Sequence, residues 1–191
     1  MNIPGLPPWD AHHFLWGMDS KYRQGYVRSK YQLASIYHPR CICEIGVYAG
    51  ISACCFLAAS PNAVYLGFDN MEAERNQGIT IVDTTRNLLQ SLGYHSTIHI
   101  ADSQSLTELP GQFDFIHVDG CHQTACAQHD TEIAWRALTS DGVLLVDDCH
   151  NMMVTAGVCR ALLDAGTDLL QWEYYPEGVG TMVIRKEPRV R

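Results

Sequence analysis

Short runs of consecutive apolar residues alternate along the chain with longer segments of three-to-four-residue apolar spacing, and this alternation predicts the fold. Five runs read as strands: Cys41 to Ile45, Val64 to Phe68 closing on Asp69, His95 to Ala101, Phe113 to Val118, and Val143 to Val146. Two more candidates, Leu169 to Tyr175 and Thr181 to Arg185, are joined through Gly178 and Gly180, and the second reads as a returning edge strand. Helical spacing appears between them. Tyr22, Tyr26, Leu33 and Ile36 define an amphipathic helix that Pro39 ends, and another helix runs from the glycine turn after Ile45 to Ala59. Glu72 to Leu92 carries Ile79, Ile81, Leu88 and Leu89 as core positions, with a break at Gly78 and a C-cap at Gly93. Thr124 to Leu138 presents Ala125, His129, Ile133 and Leu138 on one side, and Met152 to Leu163 forms the last helix, with the Met152-Met153 pair read as core.

Nearly all-apolar strands alternating with helices call for a parallel sheet covered on both faces. The expected class is α/β, a doubly wound, mostly parallel seven-stranded sheet whose last strand is antiparallel. No repeat, low-complexity tract or linker interrupts the 191 residues, which predicts one domain over 1–191. With 47% hydrophobic and 18% charged residues the chain reads as an ordinary soluble domain. The net charge of −8 argues against nucleic acid as a partner, and no ~18-residue apolar run predicts a membrane span. The Pro-rich start, Met1 to Trp9, lacks the pattern of a signal peptide. Eight cysteines without a Cys-x-x-Cys pair read as reduced thiols, hence a cytoplasmic location.

Candidate chemistry gathers at the strand ends. Glu44, Asp69, Asp102, Asp119 and the pair Asp147-Asp148 close strands one to five. A parallel sheet would bring these six carboxylates to one crevice, where their repulsion calls for cations. The first turn, Glu44-x-Gly46-x-x-x-Gly50, puts a carboxylate where a dinucleotide site needs bare backbone. That disfavours a phosphate ligand and suits S-adenosylmethionine, whose ribose diol Asp69 is placed to accept. Asp119, Asp147 and Asp148 form an oxygen-donor set suited to Mg²⁺. A hydroxyl bound there would ionise near neutral pH, with His122 or His150 to take its proton. A zinc reading of Cys121, His122, Cys126, His129, Cys149 and His150 matches no tetrahedral spacing, and His117, inside a strand, reads as a packed core histidine. A nicotinamide-dependent oxidoreductase and a non-catalytic cofactor-binding module are the alternative functions.

Glu44-Ile-Gly-Val-Tyr-Ala-Gly-Ile-Ser52 resembles the Glu-Leu-Gly-x-Tyr-x-Gly-x-Ser of class I S-adenosylmethionine-dependent methyltransferases, and most of all that of the metal-dependent O-methyltransferases typified by catechol O-methyltransferase. Trp16-Gly17-Met18-Asp19, with Gly25 after it, and Ala101-Asp102-Ser103-Gln104 are similar to further segments of that family. Asp119-Gly-x-His122 and Asp147-Asp148 also resemble bacterial methyltransferases of sugars and antibiotics. The likeness spans about residues 14 to 186 and implies a Rossmann-like fold. It implies that Glu44, Gly46, Tyr48, Gly50 and Ser52 hold the methionine end, with Met18 near the methyl. Asp69 would take the ribose, Asp102 and Ser103 would flank the adenosine, and Asp119, which begins the metal set, would border the cofactor. By the same likeness residues 1–38 form an arm and helix covering the active site, and the acceptor is a small hydroxylated molecule. His122 stands where the family has a catalytic lysine, Gly120 and Cys121 stand where it has a bulky aromatic, and no late glutamate is found, which points away from catechol itself. Oligomeric state, including a homo-oligomer, stays open.

Overall fold

A computed structural model describes residues 20–71, 81–167 and 172–186. The elements in order are helix α1 (Ser20–Tyr37), strand β1 (Cys41–Ile45), α2 (Ile51–Ala59), β2 (Val64–Asp69), α3 (Ile81–Ser91), β3 (His95–Ile100), a 3₁₀ turn (Ser103–Ser105), β4 (Phe113–Val118), α4 (Thr124–Ala137), β5 (Leu138–Val146), α5 (Met152–Asp164), β6 (Trp172–Tyr175) and β7 (Thr181–Arg185). The strands form one sheet in the order β3-β2-β1-β4-β5-β7-β6. Pairing is parallel throughout β3 to β5, while β7 runs antiparallel to both its neighbours. The expected doubly wound sheet with an antiparallel last strand is therefore present.

Alternation along the central strands builds two cores. Ile42 of β1 and Phe115 of β4 pack with Leu33, Phe56, Leu57, Val82 and Leu89 under α1, α2 and α3. Cys43, Ile45, Ile116 and Val118 pack with Ile133, Ala134, Val158 and Leu162 under α4 and α5. Helix α2 buries six of its nine residues between the sheet and α1, which is why its sequence is apolar all round. The order reverses between β1 and β4, and a doubly wound sheet opens its ligand crevice at that point, outside the carboxyl ends of the strands.

Several expectations are corrected. Strand β5 begins at Leu138, not Val143, because Leu138 pairs with Phe113 before a register shift admits the Asp141-Gly142 turn region into the strand. Strand β7 is interior, between β5 and β6, and β6 is the edge. On α4 the buried face is Ala127, Asp130, Thr131, Ile133, Ala134 and Ala137, and Ala125 is exposed. Ile36 is exposed, as are Met152 and Met153, because the core side of α5 is already filled by Val154, Val158, Ala161 and Leu162. Residues 72–80 and 168–171, parts of two expected elements, lie outside the described residues, as does Met18.

Candidate active site

Two turns meet at the switch point. The one after β1 needs glycine for steric reasons. Gly46 has φ +88°, and a Cβ there would stand 2.0 Å from the backbone carbonyl oxygen of Asp119. Gly50 has φ +68°, with Thr85 Cγ2 at 2.2 Å from its missing Cβ. Asp69, at the end of β2, holds the turn in place: one oxygen accepts from the amides of Val47 at 3.0 Å and Tyr48 at 2.7 Å, and the other from the amide of Met71 at 2.7 Å. Tyr48 is half-buried in the left-handed region at φ 44°.

Glu44 lies beneath this turn and is wholly buried. Its carboxylate accepts hydrogen bonds from the hydroxyls of Ser52 and Tyr65 and meets His117 Nδ1 at 2.7 Å. On the other side of the ring, His117 Nε2 stands 3.1 Å from Asp147 Oδ2 without hydrogen-bond alignment, so that approach is charge against charge. Asp147 Oδ1 receives the Lys30 ammonium and the Thr181 hydroxyl, the latter at 2.7 Å. The result is a buried polar chain from Tyr65 of β2 through Glu44 of β1, His117 of β4 and Asp147 just past β5 to Lys30 of α1. Burial alone would lower the His117 pKa, but the Asp147 charge, together with the hydrogen bond to Glu44, outweighs burial and the opposing Lys30 charge and raises it to about 9. Asp147 is driven the other way: Lys30 and His117 overcome burial and hold its carboxyl well below the ordinary range.

The second turn follows β4. Asp119 is half-buried, and its Oδ2 accepts from the Tyr26 hydroxyl at 3.2 Å. Burial, then the Asp147 and Asp148 charges, raise its carboxyl to about 8 against His117 and Lys30. His122 is exposed and sets Nε2 at 2.8 Å from Asp148 Oδ2. That hydrogen bond and the Asp148 and Asp119 charges raise the imidazole above its ordinary value despite partial burial. Asp148 sits at φ 57°, a left-handed backbone that aims its carboxylate back at His122. His150, the other candidate base, is exposed and stacks edge-on against Tyr174, with ring centroids 6.0 Å apart.

The third expected contact region is the turn after β3. Asp102 is exposed and caps the turn through the amide of Gln104 at 3.1 Å; Ser103 is half-buried. From α4, His129 Nε2 donates to the carbonyls of Ser103 at 3.1 Å and Leu106 at 3.0 Å, and Asp130 accepts from Gln104 Nε2 at 2.8 Å.

The structure thus brings Gly46, Tyr48, Gly50, Asp69 and Asp119 to one crevice, and sets Glu44 and Ser52 in the layer below. Among the described residues two donor clusters form within 4.8 Å: Asp119, His122 and Asp148, which opens to solvent, and His117, Asp119 and Asp147, which is mostly buried. Neither includes a cysteine. Two carboxylates and an imidazole suit a divalent ion, so the open cluster fits one. Lys30 and Tyr26 were not legible as site residues. A lysine on an amphipathic helix ordinarily faces solvent, and its partner lies 117 positions downstream.

Comparisons with known proteins bear on the fold and the family. The model of a methyltransferase domain matches residues 43–149, more than half of the chain and the span holding both turns. No curated protein sequence matches. Among solved structures, the chain resembles the S-adenosylhomocysteine-bound methyltransferase PaMTH1 of Podospora anserina at 17% identity, TM-score 0.66, covering 96% of this chain and 89% of that one. It resembles the O-methyltransferase TomG of Streptomyces achromogenes, involved in tomaymycin synthesis and solved with S-adenosylmethionine, at 16% identity, TM-score 0.60, covering 93% and 95%. An O-methyltransferase family protein of Burkholderia thailandensis follows at 16% identity and TM-score 0.62, covering 94% of this chain and 59% of that one. These likenesses share the fold, and the family match sets aside the nicotinamide alternative. The chain belongs to the methyltransferase-domain family.

Proposed function

We propose that this protein transfers a methyl group from S-adenosylmethionine to a hydroxyl of a small-molecule acceptor, assisted by a divalent cation. The observation that carries this reading is the contact between the two turns. The cofactor-type turn at Gly46 rests on the Asp119 backbone, so a methyl donor over the first turn would face the acid cluster of the second. The O-methyltransferase neighbours and the family match support the same reaction class.

Asp69 at the turn's rim suits a ribose diol, and the exposed Asp102 with Ser103 suits the adenosine edge. Tyr48, Gly50 and Ser52 shape the methionine end, and Glu44 supports it from below through Ser52. Asp119, Asp147 and Asp148 are the carboxylates available to a cation such as Mg²⁺, which would supply positive charge that lowers the pKa of a neighbouring hydroxyl. His122 binds Asp148 through Nε2, which leaves Nδ1 to take the acceptor's proton. The acceptor oxygen forms the new C–O bond as the methyl–sulfur bond breaks, its electron pair passing to sulfur. Helix α1, which brings Tyr26 to Asp119, covers the site within a single domain. The acidic balance and free thiols favour a cytoplasmic enzyme that binds neither nucleic acid nor membrane. Among the described residues no helix is long and apolar enough to cross a membrane.

Incubation with labelled S-adenosylmethionine and a panel of hydroxylated acceptors tests the proposal. Transfer that EDTA abolishes and Mg²⁺ restores is expected. Transfer indifferent to EDTA removes the cation, and no transfer to any acceptor removes the reaction.

A further inference from the structure

Lys30 is a fully buried lysine in a site crowded with acids. Its ammonium has three neighbours: Asp147 Oδ1, Thr181 Oγ1 at 2.8 Å, and the Tyr26 ring, whose centroid is 4.9 Å away. A buried ammonium is tolerated only with a paired charge and filled donor directions, and Asp147 is the carboxylate that supplies the pairing. Asp147 is committed in return. One oxygen takes Lys30 and the Thr181 hydroxyl, the other faces the His117 ring at 3.1 Å, and the residue is 2% exposed. Asp119 and Asp148 differ: both are half-buried, and they gather with His122 in the cluster that opens to solvent.

We propose that Lys30 is the resident counter-cation of Asp147, so that Asp119 and Asp148 are the carboxylates that hold a divalent ion while Lys30 and Asp147 act as positioning residues. This rests on the cation-assisted reading above and alters its ligand set. A carboxylate already neutralised by a fixed ammonium gives a metal ion little Coulombic gain, and reaching it would expel Lys30 from its partner carboxylate. Thr181 fixes the pair further, accepting from the ammonium and donating to the carboxylate, so neither group turns toward the open cluster.

Mn²⁺ titration of the full chain, followed by the electron paramagnetic resonance signal of the free ion and without methyl donor or acceptor, tests the assignment. Asp148→Asn is expected to weaken Mn²⁺ at least about tenfold. The double variant Lys30→Met with Asp147→Asn, which removes both charges of the buried pair together, is expected to stay within about threefold of wild type. A double variant as weak as Asp148→Asn overturns the inference and leaves the cation reading standing. No saturable Mn²⁺ binding by wild type overturns both. A second measurement is independent of whether the double variant folds. In ¹⁵N-lysine-labelled wild type, the protected Lys30 ammonium resonance, assigned by its loss in Lys30→Arg, is expected to persist at saturating Mg²⁺. Its disappearance on adding Mg²⁺ would mean that the ion had displaced the ammonium, and would overturn the inference.

Discussion

Residue by residue, the crevice is built on backbone conformations that few side chains tolerate. Gly46 combines φ +88° with a carbonyl oxygen 2.0 Å from where a Cβ would stand. Gly46→Ala must therefore move the Asp119 strand end as well as adopt a left-handed conformation. We expect a loss of at least ~2 kcal/mol in urea unfolding, and a change under ~0.5 kcal/mol would contradict the contact. Asp148, at φ 57°, carries strain of the same kind at a position that binds His122. Asp148→Gly is expected to raise stability by up to ~1 kcal/mol through relief of that strain. The same change should lower methyl transfer at least ~100-fold, because His122 loses its orienting partner. A variant that is both less stable and fully active would refute both halves. The sequence made Glu44, Gly46, Asp119 and Asp148 legible because strand ends and turns fall where apolar runs stop. It could not reveal that Glu44 is sealed under the turn by Ser52, Tyr65 and His117, since those partners come from α2, β2 and β4 and meet only in the folded sheet.

Among the elements, α4 shows how a helix can position a site that it does not line. Its His129 and Asp130 hold the turn after β3. Asp130 is fully buried and one of its oxygens is unpartnered, so burial raises its carboxyl from 3.8 to about 6, against hydrogen bonds that favour the charge. An acid whose pKa rises on folding weakens the fold once it ionises. That cost is absent below pH ~4, grows between ~4 and ~6, and is complete above. Asp130→Asn should thus melt near wild type at pH 4 and be more stable at pH 8, by on the order of 1–3 kcal/mol. Equal melting differences at both pH values would contradict this. The apolar spacing misplaced the face of α4 because three of its buried residues are alanines and two, Asp130 and Thr131, are polar. Strand limits were legible where a strand ends in a carboxylate, as at Val118, and illegible in β5, whose first half is held by pairing to Phe113 and not by apolar character.

At the scale of the molecule, the buried polar chain links pH to stability. His117 has its folded pKa raised from 6.5 to about 9, so its contribution is fully present below pH ~6.5 and is lost as pH climbs through 9. The whole interval corresponds to ~3 kcal/mol. Unfolding followed by tryptophan fluorescence should show stability falling between pH 7 and pH 9.5, and His117→Gln should flatten that slope; an unchanged slope would remove His117 as its source. Thiol accessibility gives a second test. Cys43, Cys54 and Cys55 are buried, with thiols pushed up by burial, whereas Cys121 is exposed. A thiol reagent should modify Cys121 quickly and reach those three only on unfolding.

The interior placement of β7 also fixes when the site can exist during synthesis. Lys30 and Thr181 are 151 positions apart, and Thr181 opens a strand that slots beside β5 only after β6 has been made. Until then the nascent chain has Lys30 and Asp147 without the hydroxyl that bridges them and without the strand that walls them off. A ribosome-bound chain halted before residue 181 should therefore remain protease-sensitive around α1, and release of the last strand should bring protection in a single step. The buried pair of Lys30 and Asp147 is therefore complete only once β7 has been made.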